Sequence, residues 1–243
     1  MTLEAALSKF AAHRPLLIAS DFDGTIAPIV TRPDLARPDP EAMVALQSLA
    51  RHQDVDVALV SGRPHETLRR ISGDPEMVTL VGEHGNDVGD SPPPPGLAAL
   101  IDDMKSVSET VAGSSIEVKP NSVGFHYRNS LPLDVPVALR RIRAIAASHA
   151  ANVLEGKMVI ELSLASLTKL DAVNRLRRDG GLVLYLGDDV TDEDVFEGLS
   201  PEDVGVKVGE GETAAQYRVE GVDDVRRILH TLLDAVSAGE PAR

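Results

Sequence analysis

Leu16–Ser20 (LLIAS) is an unbroken run of apolar and small residues that stops abruptly at Asp21. A strand without apolar–polar alternation is buried on both faces, which belongs in a parallel sheet covered by helices on each side. The flanking pattern agrees. Glu41–Leu49 carries Met43, Leu46 and Leu49 at helical spacing after a proline-rich lead-in. Val55–Val60 (VDVALV) reads as a second strand ending at Ser61-Gly62, and Pro64 opens a helix continued by Leu68 and Ile71. Met77–Val81 is a third strand. Near the other end, helices at Thr168–Arg178, Thr191–Leu199 and Val222–Val236 alternate with strands at Leu182–Leu186 (LVLYL) and Val204–Val208. This is the rhythm of an α/β fold.

The rhythm breaks in the middle. Asp90-Ser91 and the four prolines Pro92–Pro95 form the strongest linker signal in the chain. Beyond them the spacing predicts a helix over Leu97–Val111, then strands at Ser115–Lys119 and Ser122–Arg128 around a Pro120-Asn121 turn. A helix over Val135–Ala150 follows, with Arg140, Arg141 and Arg143 on its wet side. Strands at Val153–Leu154 and Met158–Leu162 flank Glu155-Gly156. This αββαββ order is α+β. Residues 88–164 are therefore expected to form an inserted domain, with 1–87 and 165–243 making one α/β core and Ser237–Arg243 a frayed tail.

Composition narrows the chemistry. With 43% hydrophobic and 26% charged residues, the 243-residue chain has globular composition. It contains no cysteine, which removes disulfides, thiolate metal sites and thiol nucleophiles. Acidic residues outnumber basic ones 38 to 24, for a net charge of −14, which argues against broad binding to nucleic acid or anionic membrane. The opening MTLEAALSKFAAHRP lacks the pattern of a signal peptide, and no apolar stretch reaches the roughly 18 residues of a membrane span. A cytoplasmic monomer is the expectation.

Four segments place reactive residues at strand ends or helix starts: Asp21-Phe22-Asp23-Gly24-Thr25, Ser61-Gly62-Arg63, Lys169, and Gly187-Asp188-Asp189-Val190-Thr191-Asp192. Open α/β sheets bind ligands at the carboxyl edge of their strands. Crowded carboxylates need a counter-charge, and a hard divalent cation with oxygen ligands supplies one. Asp21 and Asp188 with a backbone carbonyl near Asp23 would leave positions for water and a phosphate oxygen, which favours Mg²⁺. Lys169 and the Ser61 hydroxyl could neutralise and orient a phosphoryl group. Asp21 could attack phosphorus to give an aspartyl-phosphate, with Asp23 as general acid and then base. Each element also has a plainer reading: Ser61-Gly62 as a helix cap, Lys169 as a solvated helix residue, and Asp192–Asp194 as solvated acids favoured by a helix N-terminus. The four in order outweigh those readings.

This ordered set resembles the haloacid dehalogenase superfamily of phosphatases over Leu16 to about Val208. DFDGT is similar to its first motif, Val60-Ser61-Gly62-Arg63 to its second, Lys169 to its third and GDDVTDED to its fourth. The resemblance implies a Rossmann-like parallel-sheet core with an inserted α+β cap. It also implies Asp21 as nucleophile, Asp23 as acid/base, and Mg²⁺ held by Asp21, the Asp23 carbonyl and Asp188, with Asp189 or Asp192 in support. Within that superfamily the chain resembles the trehalose-6-phosphate phosphatase family. DFDGTIAPI, SGR, Glu83-His84-Gly85 and GDDVTDEDVF carry the likeness, together with the αββαββ insertion between the second and third motifs. In the insertion, Glu117-Val118-Lys119 is similar to an E-x-K that grips sugar, His126-Tyr127-Arg128 to an HYR segment, and Gly156-Lys157-Met158-Val159-Ile160-Glu161 to a G-K-x-x-x-E strand. Glu117, Lys119 and Glu161 would then contact glucose hydroxyls, and Thr25, Arg63, Glu83, His84 and Arg128 would complete the substrate site beneath a closing cap. On residue pattern alone, Glu117 and Lys119 read as an ordinary pair on a wet strand face. The third motif departs from the family's acid-or-amide, Lys, Gly, being Thr168-Lys169-Leu170 here. The same chemistry on sucrose phosphate, mannosyl phosphoglycerate or a pseudo-disaccharide phosphate is an alternative. A signalling or binding module phosphorylated on Asp is another, which a cap of over seventy residues and the second Asp of DFDGT disfavour.

Overall fold

A computed structural model describes residues 1–30, 32, 35–85, 93–119, 121–156, 158–164 and 168–239. The linker positions Asp90, Ser91 and Pro92, the turn proline Pro120, Lys157 and the tail residues 240–243 lie outside them. The chain divides into two compact units, Met1–Gly89 with Leu167–Arg243, and Asp90–Ser166.

The first unit is built on six parallel strands: β1 (Leu16–Ser20), β2 (Val55–Val60), β3 (Val78–Val81), β8 (Leu182–Gly187), β9 (Val204–Val208) and β10 (Tyr217–Val219). They lie in the order β10-β9-β8-β1-β2-β3, with β1 interior and buried at all five positions. Alternate residues feed two cores. Leu16, Ile18, Val57, Leu59, Leu184 and Val206 pack with helices α1 (Leu3–Ala11), α2 (Pro40–Leu49), α3 (His65–Ser72) and α8 (Val222–Ala238). Leu17, Ala19, Ala58, Val60 and Val183 pack with α6 (Lys169–Leu176) and α7 (Glu193–Gly198). The unbroken apolar run of β1 thus serves two layers at once, as the parallel-sheet reading expects.

The second unit follows the expected αββαββ order: α4 (Leu97–Ser108), β4 (Ser115–Val118), β5 (Ser122–His126), α5 (Val135–Ser148), β6 (Asn152–Gly156) and β7 (Val159–Ser163). Its antiparallel sheet has the order β4-β5-β7-β6. One sheet face, carrying Val123, Phe125, Ile160 and Leu162, packs against Leu100, Met104 and Val107 of α4 and Ile142 of α5.

The structure adds elements to those read from sequence. α1 is capped by Thr2 and buries Leu7 and Phe10, each worth about 1.5–3 kcal/mol of burial. β10 is a three-residue edge strand. The expected Thr191–Leu199 helix is instead a 3₁₀ turn at Val190–Asp192 followed by α7, because the Asp192 carboxylate folds back to accept the Asp189 N–H at 2.9 Å.

Candidate active site

The register of β1 sets the site. Ser20 pairs with Leu59 on one side and Leu186 on the other, so Asp21, Ser61 and Asp188 leave the sheet at the same edge. The backbone there stays tied down: the Asp21 N–H donates to the Leu186 carbonyl at 2.8 Å and the Ser61 N–H to that of Val81 at 2.9 Å. A cleft of about 410 Å³ opens at this edge, lined by Asp21, Asp23, Ile29, Ser61, Gly62, Arg63, His84, Lys169, Asp188, Asp189 and Thr191. Residues separated by nearly 170 positions meet there, which is the convergence the sequence predicts.

Lys169 is the hub. A capping box between Thr168 and Asp171 starts α6 at Lys169. The side chain is only 2% exposed, and its Nζ donates to Asp21 Oδ1 at 2.6 Å and Asp192 Oδ1 at 2.7 Å. The solvated reading of Lys169 does not hold. Nor does that of Asp192, which is fully buried and also accepts the Tyr185 hydroxyl at 2.7 Å. Asp194, by contrast, is exposed. Leu170 turns onto Gly198 of α7, where a Cβ would lie 2.5 Å from Leu170 Cδ1. The departure from Gly in the third motif is therefore absorbed by packing between α6 and α7, with both Lys169 bonds made.

Carboxylate oxygens of Asp21, Asp188 and Asp192 lie within 4.8 Å of one another and could hold a metal ion. The donor set is all oxygen, which suits a hard divalent cation. Asp189 is exposed on the cleft lining, outside that trio. Thr25, expected at the substrate, is fully buried and turns its hydroxyl to Asp188 Oδ1 at 3.4 Å. Gly24 is required twice over: its φ is +82°, and a Cβ would fall 1.9 Å from Asp188 Oδ2.

Burial pushes the Asp21 carboxyl up to about 8; Lys169 opposes this, and Asp192 and Asp188 add to it. Asp188 is raised as well, by burial and then by Asp192. Burial would lower Lys169, but Asp21 and Asp192 outweigh it and hold the ammonium above its ordinary range. Lys169, with Lys207 acting on Asp188, thus faces three carboxylates, Asp21, Asp188 and Asp192, an imbalance that a bound divalent ion would relieve. His84 is held below the usual imidazole range by desolvation and then by Lys169, against Asp192 and Asp189. Its backbone φ is 57°, its N–H donates to the Ser61 carbonyl at 2.9 Å, and its ring occupies the space a Cβ on Gly62 would take. Glu83, also at positive φ, turns the loop with its N–H on the Arg63 carbonyl. Arg63 lies along Asp23, Nε to Oδ2 at 2.5 Å and Nη2 to Oδ1 at 2.6 Å.

Two participants escaped the sequence reading. Tyr185 stands on the face of β8 opposite Leu184 and anchors Asp192. Lys207 is 4% exposed, lies 3.7 Å from Glu193, and donates to the Asp188 carbonyl. The available signal was a lysine inside the otherwise apolar run Val204–Val208 (VGVKV), a position that a lysine occupies only when paired.

In the second unit, the sheet face opposite the helices is polar. Lys119 Nζ donates to Glu161 Oε2 at 2.7 Å and Ser122 Oγ to Glu161 Oε1 at 2.6 Å, while His126 Nε2 lies 2.9 Å from Glu117 Oε2. The plain i, i+2 pair between Glu117 and Lys119 is not formed; each pairs across the sheet. Burial by itself would raise Glu161, but the bonds from Lys119 and Ser122 prevail and lower it. Tyr127 stacks on Phe125 at 6.1 Å on the apolar side, and Arg128 is exposed beyond β5.

The trehalose-phosphatase family profile matches residues 19–93 and 98–223. The bifunctional trehalose-6-phosphate synthase/phosphatase of Thermoproteus tenax is 32% identical over 96% of this chain and 34% of its own length. The trehalose-phosphate phosphatase of Mycobacterium avium is 31% identical over 94% of this chain and 65% of its own. The chain thus spans between one third and just under two thirds of these two relatives. The solved structure of Aspergillus fumigatus trehalose-6-phosphate phosphatase superposes with a TM-score of 0.73 at 26% identity, over 96% of this chain and 98% of that one. With its parallel core, its αββαββ second unit and its ordered acidic motifs, this chain belongs to the trehalose-phosphatase family.

Proposed function

We propose that this chain is a Mg²⁺-dependent phosphatase that hydrolyses trehalose 6-phosphate to trehalose and phosphate through an aspartyl-phosphate. The observation that carries this reading is the Asp21 carboxylate at the edge of β1, fixed by Lys169 within reach of Asp188 and Asp192. Asp21, Asp188 and Asp192 would hold the ion, whose chemistry is to neutralise phosphoryl oxygens and orient them. Lys169 holds Asp21 Oδ1 and adds a second positive charge beside the phosphoryl group. The remaining Asp21 oxygen attacks phosphorus as the sugar oxygen departs with a proton from Asp23. A water then attacks the aspartyl-phosphate, giving its proton to Asp23 and regenerating Asp21. Ser61, at the same strand edge, donates to a phosphoryl oxygen, and His84, held below the usual imidazole range by desolvation, lines the same cleft.

The second unit is proposed as the specificity cap. Glu117, Lys119 and Glu161 are already partnered by His126, Glu161 and Ser122, and those groups would exchange partners with sugar hydroxyls. Such sites discriminate strongly, because an absent hydroxyl leaves polar groups unpaired.

Phosphate release from a panel of sugar phosphates, with Mg²⁺ and then with a chelator, tests the whole reading. Metal-dependent preference for trehalose 6-phosphate is the expected result. Preference for sucrose phosphate, mannosyl phosphoglycerate or a pseudo-disaccharide phosphate would overturn the reading of the cap and leave the core chemistry standing. A phosphoprotein that accumulates without turnover would replace it with the signalling module.

A further inference from the structure

Of the three carboxylates that could hold the ion, two are fixed by their own oxygens and one is not. Asp21 Oδ1 accepts the Lys169 ammonium at 2.6 Å. Asp192 Oδ1 accepts the same ammonium at 2.7 Å and the Tyr185 hydroxyl at 2.7 Å, and its Oδ2 takes the Asp189 N–H at 2.9 Å. The Asp188 carboxylate is half-buried and, among the described residues, accepts only the Thr25 hydroxyl, at 3.4 Å. That is long for a bond between two oxygens. Oxygens of the three carboxylates lie within 4.8 Å of one another and repel. A carboxylate held so loosely turns toward solvent unless its backbone forbids it.

The backbone is what is held. Lys207 stands beside Gly187 in the β8–β9 register, and its buried side chain donates from Nζ to the Asp188 carbonyl. A lysine takes a buried strand position only when paired. Glu193 supplies the pair: its Oε1 lies 3.7 Å from Nζ, while its Oε2 accepts the Ala214 N–H at 2.9 Å. Gly24 closes the other side, since a Cβ there would fall 1.9 Å from Asp188 Oδ2. The Asp188 main chain is thus gripped by an ammonium from β9, and its carboxylate rests on a glycine. We propose that Lys207 is a positioning residue for Asp188, locking its main chain so that the carboxylate stays with Asp21 and Asp192 before a divalent cation arrives. The proposal rests on the metal site of the phosphatase reading. Its sign sets it apart from plain electrostatics. An ammonium near a cation site repels the cation, so losing the Lys207 charge alone would tighten Mg²⁺ binding. Losing a lock weakens it, because the partners behind a metal ligand are worth roughly 10–100-fold in affinity.

Isothermal titration calorimetry with Mg²⁺ tests this without turnover. Lys207→Met should raise the Kd for Mg²⁺ on the order of tenfold. Lys207→Arg, which still brings a cationic donor to the carbonyl, should recover part of that affinity. Glu193→Gln disturbs the same buried pair but leaves the carbonyl bond. It should lose resistance to urea as Lys207→Met does, yet bind Mg²⁺ nearly as the unaltered protein does. An unchanged or lower Kd in Lys207→Met overturns the proposal, and so does an equal rise in Glu193→Gln. Should Lys207→Met fail to fold, the Lys207 ammonium resonance of the unaltered protein decides, assigned by its loss in Lys207→Arg. It should stay protected from exchange with water at saturating Mg²⁺, and its loss on Mg²⁺ binding refutes the lock. Mg²⁺ binding without hydrolysis of any sugar phosphate would defeat the functional reading, while the Kd comparison still decides the lock. No Mg²⁺ binding by the unaltered protein would defeat the metal site and the lock together.

Discussion

The two polar sites of this molecule are built on opposite principles. At the sheet edge of the first unit, Lys169, Asp21 and Asp192 are 2%, 6% and 0% exposed, and their ion pairs are sealed. On the polar face of the second unit, Glu117 and His126 are 55% and 42% exposed, and Lys119 and Glu161 28% and 21%. Buried charges are costly to separate, so the first arrangement fixes geometry and cannot be exchanged casually. Half-exposed pairs cost little to break, so the second can trade its bonds for those of a ligand. Fixed charge suits bond-making; tradeable charge suits recognition.

The sharpest way to break this contrast is at Asp21. Asp21→Asn keeps the shape of the buried hub and removes the proposed nucleophile, so phosphate release should fall ~10⁴-fold while circular dichroism is unchanged. Normal turnover in this variant would defeat the mechanism. Lys169→Met should abolish turnover too, and it leaves Asp21 and Asp192 buried without their cation. A loss of about 3–5 kcal/mol in urea unfolding is expected; a loss under 1 kcal/mol would mean the hub is not sealed.

The second site predicts smaller and more selective effects. Glu161→Gln should lower kcat/KM for the disaccharide phosphate on the order of 10–100-fold, and for an aryl phosphate by less. Equal losses on both substrates would remove the cap from recognition. Leu170→Gly tests the one departure from the family pattern and should cost about 1–2 kcal/mol through lost packing on Gly198 and a weaker helix start. A gain in stability would show that Leu170 is strained.

Protonation of Glu161 gives the mildest test. Its folded-state pKa is lowered from 4.5, so the stability it contributes is present above 4.5 and lost as pH falls through the lower folded value. Thermal unfolding followed from pH 6 to pH 3 should lose this contribution in the unaltered protein and lack it in Glu161→Gln. Parallel curves would assign the acid sensitivity elsewhere.

Local pattern alone determined a good deal. Leu16–Ser20 could only be a strand buried on both faces, because no alternation offers water a side. Three strands ending in reactive residues, β1, β2 and β8, located the cleft, since parallel strands present their carboxyl ends at one edge, and Lys169 joins them from the start of α6. The break at the prolines and the αββαββ order marked the second unit for similar reasons of periodicity. Partner choice was beyond that pattern. Asp192 reads as one more acid at a helix start, and only the fold of the Val190–Asp192 turn buries it between Lys169 and Tyr185. Lys207 reads as an oddity in a strand until β8 and β9 bring it to the Asp188 carbonyl. Leu170 looks like a lesion until Gly198 is seen to leave its space. Arg63 and Asp23 are 40 positions apart, and nothing local says that they bond. Periodicity is written in neighbouring residues, whereas the partner of a charge is set by which distant segments the sheet register brings into contact.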